Sequence, residues 1–304
     1  MAERYRFVPY VVLLAGVLIA ASSSIMIRFA QEYAVPSIQI AAGRLLFASL
    51  ILLPLALPKA LPEVRNLARR DLLFGLAAGV LLAIHFASWI ASLEYTSVAS
   101  SVALVSTNPI WVGIASVLLL RERLAPLMIA GIALTVGGSV LIAISDSSGA
   151  NAANALFGNG LALLGAISGS GYFLIGRTLR PRMTILAYIW LVYSSAAVVL
   201  VLAATVQGAI SGSGLPLIGF PLPVYLLLLG LAIGPQLLGH TSFNWALRYL
   251  SATFVTISIL GEPIGSALLA LIFFGEQFAE LQLIGFVTLL IGITVAASSE
   301  RSSS

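Results

Sequence analysis

Long apolar runs separated by short polar turns fill the chain from end to end. A helix needs about 17–25 apolar residues to cross a bilayer. Runs of that length predict ten spans, near residues 9–30, 36–57, 72–93, 97–119, 125–144, 156–176, 183–206, 223–246, 251–273 and 281–298. The short turns make consecutive spans antiparallel neighbours. Two predicted connections are longer: Pro58–Asp71, rich in charge, and Gln207–Pro223, rich in Gly, Ser and Pro. Small residues recur inside the spans, among them Gly75, Gly79, Gly131, Gly138, Gly285 and Gly292. Such residues let membrane helices approach closely.

The pattern breaks most sharply in the ninth span, where Glu262-Pro263 stands in the middle of an apolar run. A charge at mid-bilayer costs about 2.5–3.5 kcal/mol on insertion scales. Proline inside a helix removes a hydrogen bond and frees a carbonyl. A pair of this kind is expected to face a cavity. The fourth span holds an echo, Asn108-Pro109, 154 residues earlier.

Sliding the chain by 154 residues lays 93–143 on 247–297 without a gap. Tyr95 meets Tyr249, Ser97 meets Ser251, Pro109 meets Pro263, Glu122 meets Glu276, Gly131 meets Gly285 and Gly138 meets Gly292. Matches of Tyr, Pro and Glu in one register are unexpected by chance in so apolar a composition. The chain therefore reads as two halves, 1–148 and 149–304, forming one integrated membrane domain. Five spans per half is an odd number, so the second half enters the membrane upside down. The predicted fold is an all-α membrane protein of ten helices, arranged as two inverted five-helix repeats around a central cavity. Inverted repeats are a recurring plan of secondary transporters, with the solute site at the midplane.

Composition narrows the class. Of 304 residues, 60% are hydrophobic and 9% charged, against about a quarter charged in a soluble domain. Cys is absent, which excludes disulfides, thiolate metal sites and a Cys nucleophile. No Walker motif is present, so direct ATP use is not expected, and neither a metal nor any other cofactor is implied. The net charge of +4 reflects topology rather than a nucleic-acid patch. With the N-terminus inside, the inner segments hold Arg4, Arg6, Lys59, Arg65, Arg69, Arg70, Arg121, Arg123, Arg177, Arg180, Arg182, Arg248 and Arg301. Only Arg28 and Arg44 fall elsewhere, so both termini are expected in the cytoplasm. The first run is too long for the apolar core of an ordinary signal peptide and reads as an uncleaved span.

Ten spans, a five-plus-five repeat and a span–turn–span unit with Pro at mid-span and Glu at the turn resemble the EamA-type drug/metabolite transporter superfamily. The units here run Ser97–Gly138 and Ser251–Gly292, and the likeness covers nearly the whole chain. Within that superfamily the chain looks most like the YddG-type exporters of aromatic and other amino acids. The resemblance implies export across a bacterial inner membrane by alternating access around a central cavity. The superfamily also includes carriers of sugars, nucleotide sugars and nucleobases, so fold alone does not name the solute.

The polar residues inside the spans supply the candidate site. His85, Ser88, Trp89 and Ser92 share one helical face of span three, and Gln236, His240 and Asn244 share one of span eight. An aromatic wall with hydrogen-bonding groups suits a small amphipathic solute, although single residues of this kind also bond neighbouring helices. The substrate-binding set expected from the sequence is Ser24, His85, Trp89, Asn108, Tyr172, His240, Asn244 and Glu262, with Pro109 and Pro263 as hinges. Glu262 either meets a solute ammonium group, carries a coupling proton or caps backbone freed by Pro263. Arg44 either pairs with Glu262, contacts a solute carboxylate or reaches the cytoplasmic end, with structural pairing favoured. Glu122 and Glu276 read as helix caps or ion-pair partners. A competing class is an intramembrane serine hydrolase built from Gly169-Ser170-Gly171 and His240. The repeat has no use there, so the sequence reads as a non-enzymatic carrier, expected to act as a monomer in the lipid bilayer.

Overall fold

The computed structural model describes residues 7–119, 124–145, 152–212, 217–275, 277 and 279–302, and these contain helices and no strands. In chain order the helices are α1 (Val8–Ala20), α2 (Ser23–Glu32), α3 (Ser37–Arg65), α4 (Arg69–Ser92), α5 (Val98–Val105), α6 (Asn108–Leu119), α7 (Pro126–Ser145) and α8 (Ala152–Leu179). They continue as α9 (Ile185–Ser211), α10 (Leu222–Leu231), a π-helical segment (Ala232–His240), α11 (Thr241–Ala246), α12 (Ala252–Ile259), α13 (Glu262–Phe274) and α14 (Glu280–Ser302).

Taken with their breaks, eight helical stretches are long and apolar enough to cross a membrane, among them Val8–Glu32, Val98–Ala115, Leu222–Ala246 and Ala252–Phe274. The fifth and tenth expected spans correspond to α7 and α14, whose apolar stretches include Pro126–Ile142 and Glu280–Ala296. The charged connection expected at Pro58–Asp71 is mostly helix, because α3 continues to Arg65 through Pro54, Pro58 and Pro62. The prolines are four residues apart, so the lost hydrogen bonds fall on one exposed face and the buried face stays intact. The Gln207–Pro223 connection is also shortened, with α9 running to Ser211 and ending on Gly212 at φ 69°. Glycine takes that left-handed cap without a Cβ clash.

The helices pack in extended pairs. The α4 helix lies along α8, and α1 lies along the π-helical segment and α11. The α3 helix packs on α9, and α7 packs on α14. Gly131 and Gly138 of α7 face Gly292 and Gly285 of α14, with backbone touching backbone: a Cβ on Gly138 would stand 2.6 Å from the Gly285 carbonyl oxygen. Outward faces carry Leu14, Leu18, Leu202, Val206 and Ile210, all exposed, as lipid-facing surfaces require.

Candidate functional site

Four of the spans are discontinuous near their middles, and the breaks meet. In the fourth, Ser97 caps α5 by accepting from the Ser100 N–H at 3.1 Å, the helix ends at Val105, and α6 restarts at Asn108-Pro109. The ninth repeats this, with Ser251 accepting from the Phe254 N–H at 3.1 Å, α12 ending at Ile259 and α13 restarting at Glu262-Pro263. Both prolines therefore sit in the first turn of a new helix, not at the middle of a continuous one as the sequence suggested. There the missing N–H costs nothing, because the first turn has no partner for it. The breaks themselves fall at Ser106-Thr107 and Leu260-Gly261.

The first span breaks between α1 and α2 at Ala21-Ser22. The freed Ala21 carbonyl accepts from the Ser266 hydroxyl of α13 at 2.9 Å, so the bilayer interior leaves it satisfied. The eighth span loosens around Pro235 into nine π-helical residues that carry Gln236 and His240. Such segments are rare and concentrate at functional sites.

Between these breaks lies a tight pocket with about 30 Å³ of free space. Rings of His85, Trp89, Phe173, His240 and Phe243 wall it, and its polar groups come from Ser23, Arg44, Ser106, Asn108 and Glu262. The rings form one cluster: His85 stacks on Trp89 with centroids 6.1 Å apart, and His240 meets His85 at 6.4 Å and Phe243 at 5.4 Å.

Second contacts hold the polar groups. His85 Nδ1 lies 2.8 Å from the Gly165 carbonyl oxygen, which can only accept, so Nδ1 carries the hydrogen and Nε2 keeps a lone pair. Asn108 Oδ1 accepts from the Ser170 hydroxyl at 3.1 Å, which orients the amide. Ser170 also donates to the Ala166 carbonyl at 2.7 Å and makes no bond to His240, so the Ser–His pairing weighed from the sequence does not form among the described residues.

Arg44 is fully buried. Its Nε donates to Gln236 Oε1 at 2.7 Å, its Nη1 donates to Ser23 Oγ at 2.8 Å, and its guanidinium carbon stands 4.1 Å from the centroid of the Phe86 ring. No ion pair with Glu262 forms among the described residues, against the pairing the sequence favoured, because Ser23 and Gln236 already hold the guanidinium. Its Nη2 has no hydrogen-bond partner, and neither do Trp89 Nε1 or His240 Nδ1.

Of the residues expected at the site, His85, Trp89, Asn108, His240 and Glu262 line the pocket, while Ser24, Tyr172 and Asn244 do not. Ser23 takes the place expected for Ser24, whose hydroxyl turns back to the Ala21 carbonyl at 3.5 Å. Tyr172 donates to Asn244 Oδ1 at 2.6 Å, and Asn244 Nδ2 donates to Tyr193 Oη at 3.2 Å, a buried network behind the wall. Ser88 and Ser92 bond their own helix, to the Ile84 carbonyl at 2.8 Å and the Trp89 carbonyl at 2.6 Å. Glu122 and Glu276 lie outside the described residues. Ser106, Phe173 and Phe243 were not in the expected set. Phe173 and Ser23 each stand one residue from an expected position, and for Ser23 the break at Ala21-Ser22 accounts for the shift.

The chain is 28% identical over 200 residues to Uncharacterized transporter YetK of Bacillus subtilis, covering 60% of this chain and 60% of that protein's length. It is 24% identical over 280 residues to an Uncharacterized transporter of Clostridium kluyveri, covering 90% of this chain and 88% of that one. A solved structure described as "Crystal structure of protein" superposes with a TM-score of 0.72 at 17% identity, covering 98% of this chain and 99% of that one, which is a likeness of fold alone. The EamA-like transporter family matches twice, over residues 8–144 and 156–298. A pocket at the meeting point of broken membrane helices, in a chain matched along nearly its whole length by that family, makes this multi-pass membrane protein a member of the EamA-like transporter family.

Proposed function

We propose that the protein is a secondary transporter exporting small amphipathic metabolites, aromatic and other neutral amino acids first, across a bacterial inner membrane by alternating access. One observation carries the reading: the pocket lies where four spans break, and rings alternate there with polar atoms that the protein leaves unpartnered. A ring stacks on the wall, and polar ends meet the unpartnered groups.

The ten-span inverted repeat fits the pairing of helices. The contact of α4 with α8 is answered by that of α1 with the π-helical segment and α11, and α3–α9 and α7–α14 each join a helix to its own counterpart. The halves 1–148 and 149–304 are the two arms of that repeat. An N-in orientation fits the basic end of the bundle, where Arg182 Nη1 lies 3.3 Å from Asp71 Oδ1 and the Thr184 hydroxyl donates to Glu63 at 2.6 Å. At the opposite end of α3, Ser37 bonds Glu94, and Gln31 Nε2 donates to the Ile90 carbonyl at 3.0 Å. Alternating access requires one of these polar closures to open while the other holds. The breaks preceding Pro109 and Pro263 are the compliant points, since half-helices tilt there without losing ladder bonds.

Counterflow of labelled phenylalanine in proteoliposomes tests the reading. Excess tryptophan and tyrosine should suppress it strongly and threonine less, and a sugar or a nucleoside should leave it unchanged, with and without an imposed pH gradient. Suppression by the sugar or nucleoside alone would move the protein to another solute class. Trp89→Ala should reduce phenylalanine flux about tenfold, the loss of one stacking wall, and threonine flux less. Equal losses would return Trp89 to a packing role.

A further inference from the structure

The proposed function leaves open which atoms select the solute. The Arg44 guanidinium has two of its three nitrogens committed to Gln236 and Ser23, while Nη2 is buried and unpartnered beside the pocket. A structural role explains the first two and not the third. The Glu262 carboxyl reaches the same pocket from another broken span and has no hydrogen-bond partner among the described residues. A guanidinium and a carboxyl group thus face one small chamber without forming an ion pair. Leaving a charge unpaired in such surroundings costs several kcal/mol. A bound solute carrying both charges removes that cost at both ends.

We infer that Arg44 and Glu262 read the two head groups of a zwitterion, Arg44 Nη2 donating to a carboxylate and Glu262 accepting from an ammonium group, while the ring wall takes the side chain. This rests on the proposed function and adds the residues that choose the head group. A neutral sugar or nucleoside satisfies neither charge. A simple acid satisfies Arg44 and faces Glu262 with like charge, and a simple amine does the reverse. Ser23 and Gln236 act as positioning residues, since their bonds hold the guanidinium so that Nη2 is the nitrogen left over.

Binding of phenylalanine, phenethylamine and 3-phenylpropionate to the purified protein in nanodiscs tests the assignment, because the three share a ring and differ only in their charges. The wild-type protein should bind phenylalanine about tenfold or more tighter than either of the others. Glu262→Gln should abolish the preference for phenylalanine over 3-phenylpropionate and keep that over phenethylamine. Arg44→Gln should do the converse, and Arg44→Lys should restore part of the lost preference. Equal wild-type binding of the three compounds, or equal weakening of all three by each variant, overturns the assignment. Should Arg44→Gln fail to fold, the wild-type series and Glu262→Gln decide. Phenylalanine transport without head-group preference sinks this inference alone. Counterflow competed only by a sugar or nucleoside sinks the proposed function with it.

Discussion

Gly138→Leu is expected to collapse the thermal stability of the purified protein, while Gly137→Ala, one residue away, leaves it nearly unchanged. A side chain at Gly138 meets the Gly285 carbonyl oxygen at 2.6 Å and the Leu289 nitrogen at 2.7 Å, both backbone atoms that cannot rotate away. Across the same seam a Cβ on Gly292 would meet the Thr135 nitrogen at 2.5 Å, so the pair cannot slide to make room. Overpacking costs about 1–3 kcal/mol where side chains yield, and backbone obstruction belongs at or beyond the top of that range. About 3 kcal/mol corresponds to a fall in Tm of about 6–12 °C. Gly137 has nothing within 4 Å of an added Cβ, and alanine is the better helix former there. Thermal melts in one detergent decide, and similar midpoints for the two variants would show that α7 and α14 are not locked together.

Asn244→Leu is the second large effect. The side chain is fully buried and joins Tyr172 of α8 to Tyr193 of α9, and the residue's carbonyl accepts from Arg180 Nε at 3.0 Å. Leucine fills the volume and strands the Tyr172 hydroxyl, worth about 1–3 kcal/mol when left buried and unpaired, and leaves Tyr193 with the Thr241 hydroxyl at 3.4 Å. Tyr172→Phe removes one hydroxyl and should cost about half as much or less. The triple variant Asn244→Leu with Tyr172→Phe and Tyr193→Phe should recover most of the loss, because no polar group is then left without a partner. Melting of the four proteins measures this, and a triple variant worse than Asn244→Leu would mean that packing, not hydrogen bonding, dominates.

The sequence exposed the long apolar helices, because they depend on residue type over a long stretch. It also pointed to both half-helix breaks, since Asn108-Pro109 and Glu262-Pro263 are unusual at mid-span. It misplaced what depends on local winding. Ser22-Ser23-Ser24 straddles a helix break, which turns Ser23 inward where an unbroken helix would have brought Ser24. The π-helical turn around Pro235 shifts the phase beyond it, so His240 and Phe243 reach the pocket while Asn244 turns to Tyr172. Arg44 was visible as a buried cation, but its partners, Ser23 and Gln236, come from distant spans and no spacing rule names them. The charge-rich Pro58–Asp71 read as a connection, and the shared outward face of Pro54, Pro58 and Pro62 explains why the helix continues into it.

The bond from the Ser266 hydroxyl to the Ala21 carbonyl ties the helix bearing Glu262 to the kink from which Ser23 holds Arg44. A tilt of that helix therefore tugs the cation's tether as well as displacing the anion. On the proposed alternating-access reading, the gap between the two follows which way the carrier is open, through a serine that touches neither of them.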